Sequence, residues 1–168
     1  MDNTRKVKTY KAHNDWIPSL VLADKTKLIS CSGQKDKKIK ILSIETFECI
    51  QVLEGHTNDI FFLELTLDGN LLSCSYDKTI KLWQMETGLE LKSIKFDHPV
   101  CCVKILNGDL IAVALSNGEI IIYNVNKMHF VKSISFSSSS IYRLELLSNG
   151  NLLSGSGDGN IVLFKIFD

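Results

Sequence analysis

Helix-forming patterns are nearly absent from this sequence, which points away from helical architectures. It also lacks a surplus of either charge, since 19 lysines and arginines balance 19 aspartates and glutamates. No net field therefore draws the chain to nucleic acid or to a membrane surface. No apolar run approaches the roughly 18 residues that a bilayer demands. The stretch from Met1 to Lys6 contains no apolar segment, so no secretory leader is expected. No Asn-x-Ser/Thr acceptor occurs, and the five cysteines form no Cys-x-x-Cys pair. They are expected to stay reduced and to pack as small hydrophobes in a cytoplasmic protein, with the nucleus as the other compartment. Nor is there a Gly-x-Ser-x-Gly elbow, a Gly-x-x-x-x-Gly-Lys phosphate loop or a His-Glu-x-x-His pair. Each of those patterns builds a specific catalytic geometry. The expectation is a chain that is not an enzyme, with no cofactor and no metal.

What the chain does contain is itself, repeated. Residues Leu63 to Trp83 align without a gap on Leu144 to Phe164. Both copies run through Leu-Glu-Leu, Gly-Asn-Leu-Leu-Ser, Ser-x-Asp and Ile-x-Leu before an aromatic residue. Weaker copies run from Leu28 to Leu42 and from Leu110 to Tyr123. The closing positions Leu42, Trp83, Tyr123 and Phe164 are spaced by 41, 40 and 41. Cys31 and Cys74 fall at one position of this repeat. A period of about 40 residues made of strands and turns marks a repeat architecture.

One unit shows the physics. Ile60 to Leu65 is apolar and ends at Asp68-Gly69, and Asn70 to Ser75 follows and ends at Tyr76-Asp77-Lys78. Thr79 to Trp83 alternates and ends at Glu86-Thr87-Gly88, and Leu89 to Lys95 forms a fourth run. Short period-two runs bounded by Gly and Asp turns read as antiparallel strands. Four such strands per repeated unit are the signature of propeller blades, so the expected class is all-β.

Gly55-His56, Ser73, Asp77 and Trp83 resemble the motif of the WD-repeat family. The resemblance extends over nearly the whole chain. It implies a hydrogen-bonded tetrad within one blade, running from the Trp indole to Ser73, then His56, then Asp77. The other units depart from this pattern. The first keeps His13, Ser30 and Asp36 but has Leu42 at the Trp position. The third keeps His98 but has Val113, Asn117 and Tyr123. The fourth keeps Ser154 and Asp158 but has Phe164 and no His near Ser137 to Ser140. Only the second unit has all four members, so its blade is expected to be the most rigid.

In the family, repeat and blade are out of phase, and rings close when an N-terminal strand completes the last blade. Val7 to Tyr10 align with Ile50 to Leu53, so an outer strand without its own blade is expected at residues 6–10. A single domain, 1–168, is expected, with blades at about 13–53, 56–95, 98–135 and 137–168. Three arrangements fit the resemblance. One is an incomplete or arc-like propeller, as part of a longer protein. Another is a homodimer whose two chains complete one ring. The last is a four-bladed ring closed by strand exchange.

Several tempting features read as structure. The glycine-rich stretch Ser154 to Asn160 matches the strand and turn of Ser73 to Thr79. Asp36, Asp77 and Asp158 recur at one turn position, so they are expected to be structural. Lys35, Lys37, Lys38 and Lys40 form a basic cluster read as solvated surface. The resemblance implies a non-catalytic scaffold that binds partner proteins or peptides through propeller loops and the top face. The alternatives are a structural subunit of a larger assembly or a fragment of a longer WD-repeat protein. No small molecule, nucleic acid or membrane is expected as a partner. In the family, three positions per blade face the narrower entrance. They map to Trp16, Pro18 and Lys35, to Asp59, Phe61 and Tyr76, to Pro99, Cys101 and Ser116, and to Ser140, Tyr142 and Gly157. Trp16 and Tyr76 are the expected anchors, with Lys35 and Asp59 as polar rim. Phe61 and Tyr142 have a competing reading as packing between blades.

Overall fold

The structure is a computed structural model that describes residues 9–136 and 138–166. The alternating segments form fifteen strands in four antiparallel sheets. The first sheet holds β1 (Leu20–Leu22), β2 (Lys27–Cys31), β3 (Ile39–Ser43) and β4 (Cys49–Leu53). The second holds β5 (Ile60–Leu65), β6 (Leu71–Ser75), β7 (Thr79–Trp83) and β8 (Glu90–Lys95). The third holds β9 (Val100–Asn107), β10 (Leu110–Leu115), β11 (Glu119–Asn124) and β12 (His129–Ser135). The fourth has three strands among the described residues, β13 (Ile141–Leu146), β14 (Asn151–Ser156) and β15 (Ile161–Lys165). There is no helix among the described residues. The all-β blade architecture expected from the repeat is therefore the one present.

Of the outer strand expected at residues 6–10, residues 6–8 lie outside the described residues, as do Ser137 and residues 167–168. Thr9 and Tyr10 belong to no strand. The Tyr10 ring stands 6.3 Å from that of Phe47, in the turn between β3 and β4.

Each sheet has one face toward its predecessor and one toward its successor, here called front and back. The back of the first sheet (Ile29, Cys31, Ile39, Ile41) packs on the front of the second (Leu63, Leu71, Trp83). The back of the second (Leu72, Cys74, Ile80) packs on the front of the third (Val103, Ile111). The back of the third (Ala112, Ala114, Ile120, Ile122) packs on the front of the fourth (Leu144, Leu152). This burial of aliphatic area is the main force holding the row together. Among the described residues the row stays open, with no such seam joining the fourth sheet to the first.

Polar groups bridge the seams as well. Lys92 Nζ on β8 donates to the Val125 carbonyl of the third sheet at 2.9 Å. Lys132 on β12 reaches the Ile166 carbonyl beyond β15 in the same way. The Gln51 amide on β4 lies so close to Gly88 that an added Cβ would stand 2.2 Å from its Nε2. Near the innermost strands, Lys104 on β9 pairs with Glu64 on β5 at 3.2 Å and Glu145 on β13 at 3.5 Å. Burial opposes the charge on Lys104, but these two carboxylates outweigh it and raise its pKa. Arg143 on β13 sits 4.5 Å over the Phe62 ring.

The first strands of the second, third and fourth sheets share an irregularity. Ile60 pairs with Ser75 and Phe62 with Cys74, which leaves Phe61 unpaired in a bulge. Cys101 on β9 and Tyr142 on β13 are bulged at the same repeat position. A bulge bends the strand and re-aims the extra side chain.

Candidate functional site

In the second sheet the Trp83 indole Nε1–H donates to Ser73 Oγ at 2.8 Å. Ser73 Oγ lies 2.7 Å from His56 Nε2, and His56 Nδ1 lies 2.8 Å from Asp77 Oδ2. With Asp77 accepting from Nδ1–H, Nε2 is left to accept the Ser73 hydroxyl proton, so the chain of donors runs one way. Thr79 Oγ1 and N donate to Asp77 Oδ1, and Thr57 N donates to Oδ2. Burial would raise the Asp77 carboxyl, but hydrogen bonds from His56, then Thr79 and Thr57, drive it well below the ordinary carboxylate range. Gly55 precedes the histidine with φ of 156°, and an added Cβ would meet the Trp83 ring at 3.1 Å.

The other sheets hold parts of this network. His13 contacts Asp36 Oδ2 at 2.6 Å and Ser30 Oγ at 2.8 Å, with Leu42 in place of the indole. His98 is exposed and has no hydrogen-bonding partner among the described residues. Ser154 Oγ is buried without a partner, because neither a histidine nor an indole stands beside it. Asp158 instead accepts from Ser156 Oγ and Asn160 N within its own turn.

Three of the positions expected at the entrance, Trp16, Phe61 and Tyr76, form one compact group across the first seam. The Trp16 ring meets Phe61 edge-on at 5.7 Å, and Phe61 meets Tyr76 at 5.8 Å. Such pairs contribute about 0.5–1.5 kcal/mol beyond their buried area. The outer two rings remain open to solvent, Trp16 at 49% and Tyr76 at 46%, whereas Phe61 is half-buried between them. The Phe61 ring joins the loop before the first sheet to the second sheet through its contact with Trp16.

Two residues outside the expected set hold Trp16. Asp15 Oδ2 accepts from Lys35 N at 3.0 Å and Oδ1 from Trp16 N at 2.9 Å. These amides, Lys35 first, hold the Asp15 carboxyl below its ordinary value. Gly33 leaves the indole room, since a Cβ there would stand 2.2 Å from Trp16 Nε1. The glycine itself was visible in the sequence, but its cause lies in a neighbouring loop. Lys35 is exposed beside this group, and the Asp59 carbonyl accepts from Tyr76 N at 2.8 Å. Pro18 lines a cavity of about 360 Å³ with Phe62 and Arg143. Tyr142 is exposed on the fourth sheet beside Gly157, with no ring contact to the Trp16 group.

Four of the five cysteines are buried, at positions 31, 74, 101 and 102. Burial pushes Cys31 up to about 12 and Cys101 and Cys102 up to about 11, and raises Cys74 well above a free thiol. A thiol that stays protonated is a poor nucleophile. Among the described residues no three His, Cys, Asp or Glu side chains converge on a metal position.

The sequence profile of the family described as WD domain, G-beta repeat matches residues 4–43, 47–84 and 127–165, well over half of the chain. A WD repeat-containing protein 89 homolog of Dictyostelium discoideum is 27% identical over 183 aligned residues, covering 99% of this chain and 50% of the relative. Pre-mRNA-processing factor 17 of Saccharomyces cerevisiae is 27% identical over 167 residues, covering 95% of this chain and 37% of the relative. The chain thus spans half or less of the length of these curated relatives. Among solved structures, the WD40 beta propeller domain of Doa1 superposes with a TM-score of 0.84 at 25% identity, over 94% of this chain and 53% of that one.

Proposed function

The chain belongs to the WD-repeat family, and from that premise we propose that it is a non-catalytic scaffold which binds a partner protein or peptide through its top face. The fold and the relatives support protein interaction in general. The observation that carries the specific reading is the row Trp16–Phe61–Tyr76, packed ring to ring with both ends open to solvent. Tyr and Trp dominate binding hot spots because they offer rigid area at low entropic cost. The row is fixed in advance by Asp15, Gly33 and the bulge at Phe61, so little ordering remains for a partner to impose. Lys35 and Asp59 supply a polar rim of both signs. The proposed compartment is the cytoplasm or the nucleus, and one relative is by name a pre-mRNA-processing factor.

The test is quantitative capture of partners by the parent chain and by a Trp16→Ala/Tyr76→Ala variant. Loss of two hot-spot side chains is expected to weaken binding at least tenfold, while the loss of two ring pairs lowers the melting temperature by only a few degrees and leaves the chain folded. Full binding by the folded variant would move the site elsewhere.

A second reading is favoured by the bare outer faces of the first and fourth sheets. In it the chain is a structural subunit whose end sheets build a larger assembly, including a homodimer that completes a ring.

A further inference from the structure

We infer that the bare back of the fourth sheet receives the bare front of the first sheet of a second copy of this chain, through residues Leu153, Ile161 and Leu163 on one side and Leu20, Leu22 and Leu28 on the other. This seam rests on the second reading above and gives it residues.

The repeat places these side chains. Leu72, Ile80 and Leu82 of the second sheet become Leu153, Ile161 and Leu163 in the fourth. Ile80 is 0% exposed because the third sheet covers it, whereas Ile161 is 79% exposed and Leu163 55%. At the other end, Leu63 pairs with Ser73 as Leu20 pairs with Ser30. Leu63 is 1% exposed beneath the first sheet, whereas Leu20 is 59% exposed. Large apolar side chains bared side by side on a sheet mark an interaction surface.

The internal seams also say what kind of surface fits. At all three, a back face meets a front face, and like faces never meet. The fourth sheet therefore calls for a front face, and the uncovered front face in the molecule is that of the first sheet. Among the described residues these two faces stay bare and each is of the kind the other calls for, and the occupant inferred for both is a second copy. A head-to-tail contact made reciprocally by two copies forms two equivalent seams and closes on itself. The product is a single ring of eight sheets with both pairs of ends covered.

The experiment is sedimentation equilibrium on the chain over a wide concentration range, with two double variants. Both replace exposed residues, so strand content by circular dichroism should not change. Ile161→Lys/Leu163→Lys damages the back face, and Leu20→Glu/Leu22→Glu damages the front. The parent is expected at twice 18.9 kDa. Each variant alone should self-associate at least about a hundredfold more weakly, given the apolar area lost. Mixed together they should form a heterodimer, since one seam is intact and the other opposes Lys to Glu. A parent that stays monomeric, as when further sheets of a longer chain are the natural cover, overturns the seam and the assembly reading together. Dimerisation that survives the Leu20/Leu22 change overturns the seam alone, because like faces would then be pairing. An open polymer overturns the closed ring. Capture of partners through Trp16 and Tyr76 is read separately, so the top-face reading stands or falls on its own.

Discussion

The second and fourth sheets are written in nearly the same sequence and differ in what surrounds it. Ser73 and Ser154 occupy one repeat position, and both are buried. Ser73 serves an indole and an imidazole, whereas Ser154 serves nothing. The two sheets therefore separate what a strand sequence encodes from what its neighbours supply. Alternation and turn residues suffice to build the strands. The polar network needs two further residues, His56 and Trp83, which the fourth unit lacks.

The largest expected difference lies at the closing aromatic. Trp83→Ala removes a buried ring and the N–H that donates to Ser73, while His56 keeps Ser73 and Asp77, so a loss of about 3–5 kcal/mol is expected, most of it from packing. Phe164→Ala removes a half-exposed ring that packs on Phe136 at 4.7 Å, and about 1–2 kcal/mol is expected. Denaturant titration of both variants measures the gap, and equal losses would break the comparison.

The serines give a smaller effect with opposite outcomes. Ser73→Ala strands the Trp83 N–H and His56 Nε2 in the interior and should cost about 1–3 kcal/mol. Ser154→Ala removes an unpaired buried hydroxyl and should be neutral or stabilising, since no bond is lost. A matching loss at Ser154 would show that its hydroxyl has a partner after all.

The smallest effect is on pH dependence. Asp77 has a folded pKa below the unfolded value of about 3.9. Its contribution is therefore complete above that value and is lost as pH falls toward the folded one. Asp77→Asn should flatten the stability profile below about pH 4. An unchanged acid limb in stepwise denaturation would remove Asp77 from the account.

Most of the fold was legible because a propeller sheet is local. Each strand follows its predecessor through a short turn, so period-two alternation and residues such as Asp68-Gly69 locate it without long-range knowledge. Trp16, Phe61 and Tyr76 could be named from the repeat, but their contact could not. It joins two sheets and depends on a bulge and on the cleft at Gly33. Asp15 was passed over because it grips backbone amides, which leave no trace in sequence. Lys104 was equally hidden, since its two carboxylates come from sheets on either side.

The clasps of Lys92 and Lys132 have one more consequence. Each cation grips a backbone carbonyl of the following sheet, at Val125 and Ile166. Every amino acid carries that oxygen, so the grip places no demand on the side chain at the site it holds. The residues at Val125 and Ile166 can therefore change without loosening the docking between units. Internal copies can thus drift far apart in composition, as Leu42, Trp83, Tyr123 and Phe164 have done, while their mutual placement is preserved.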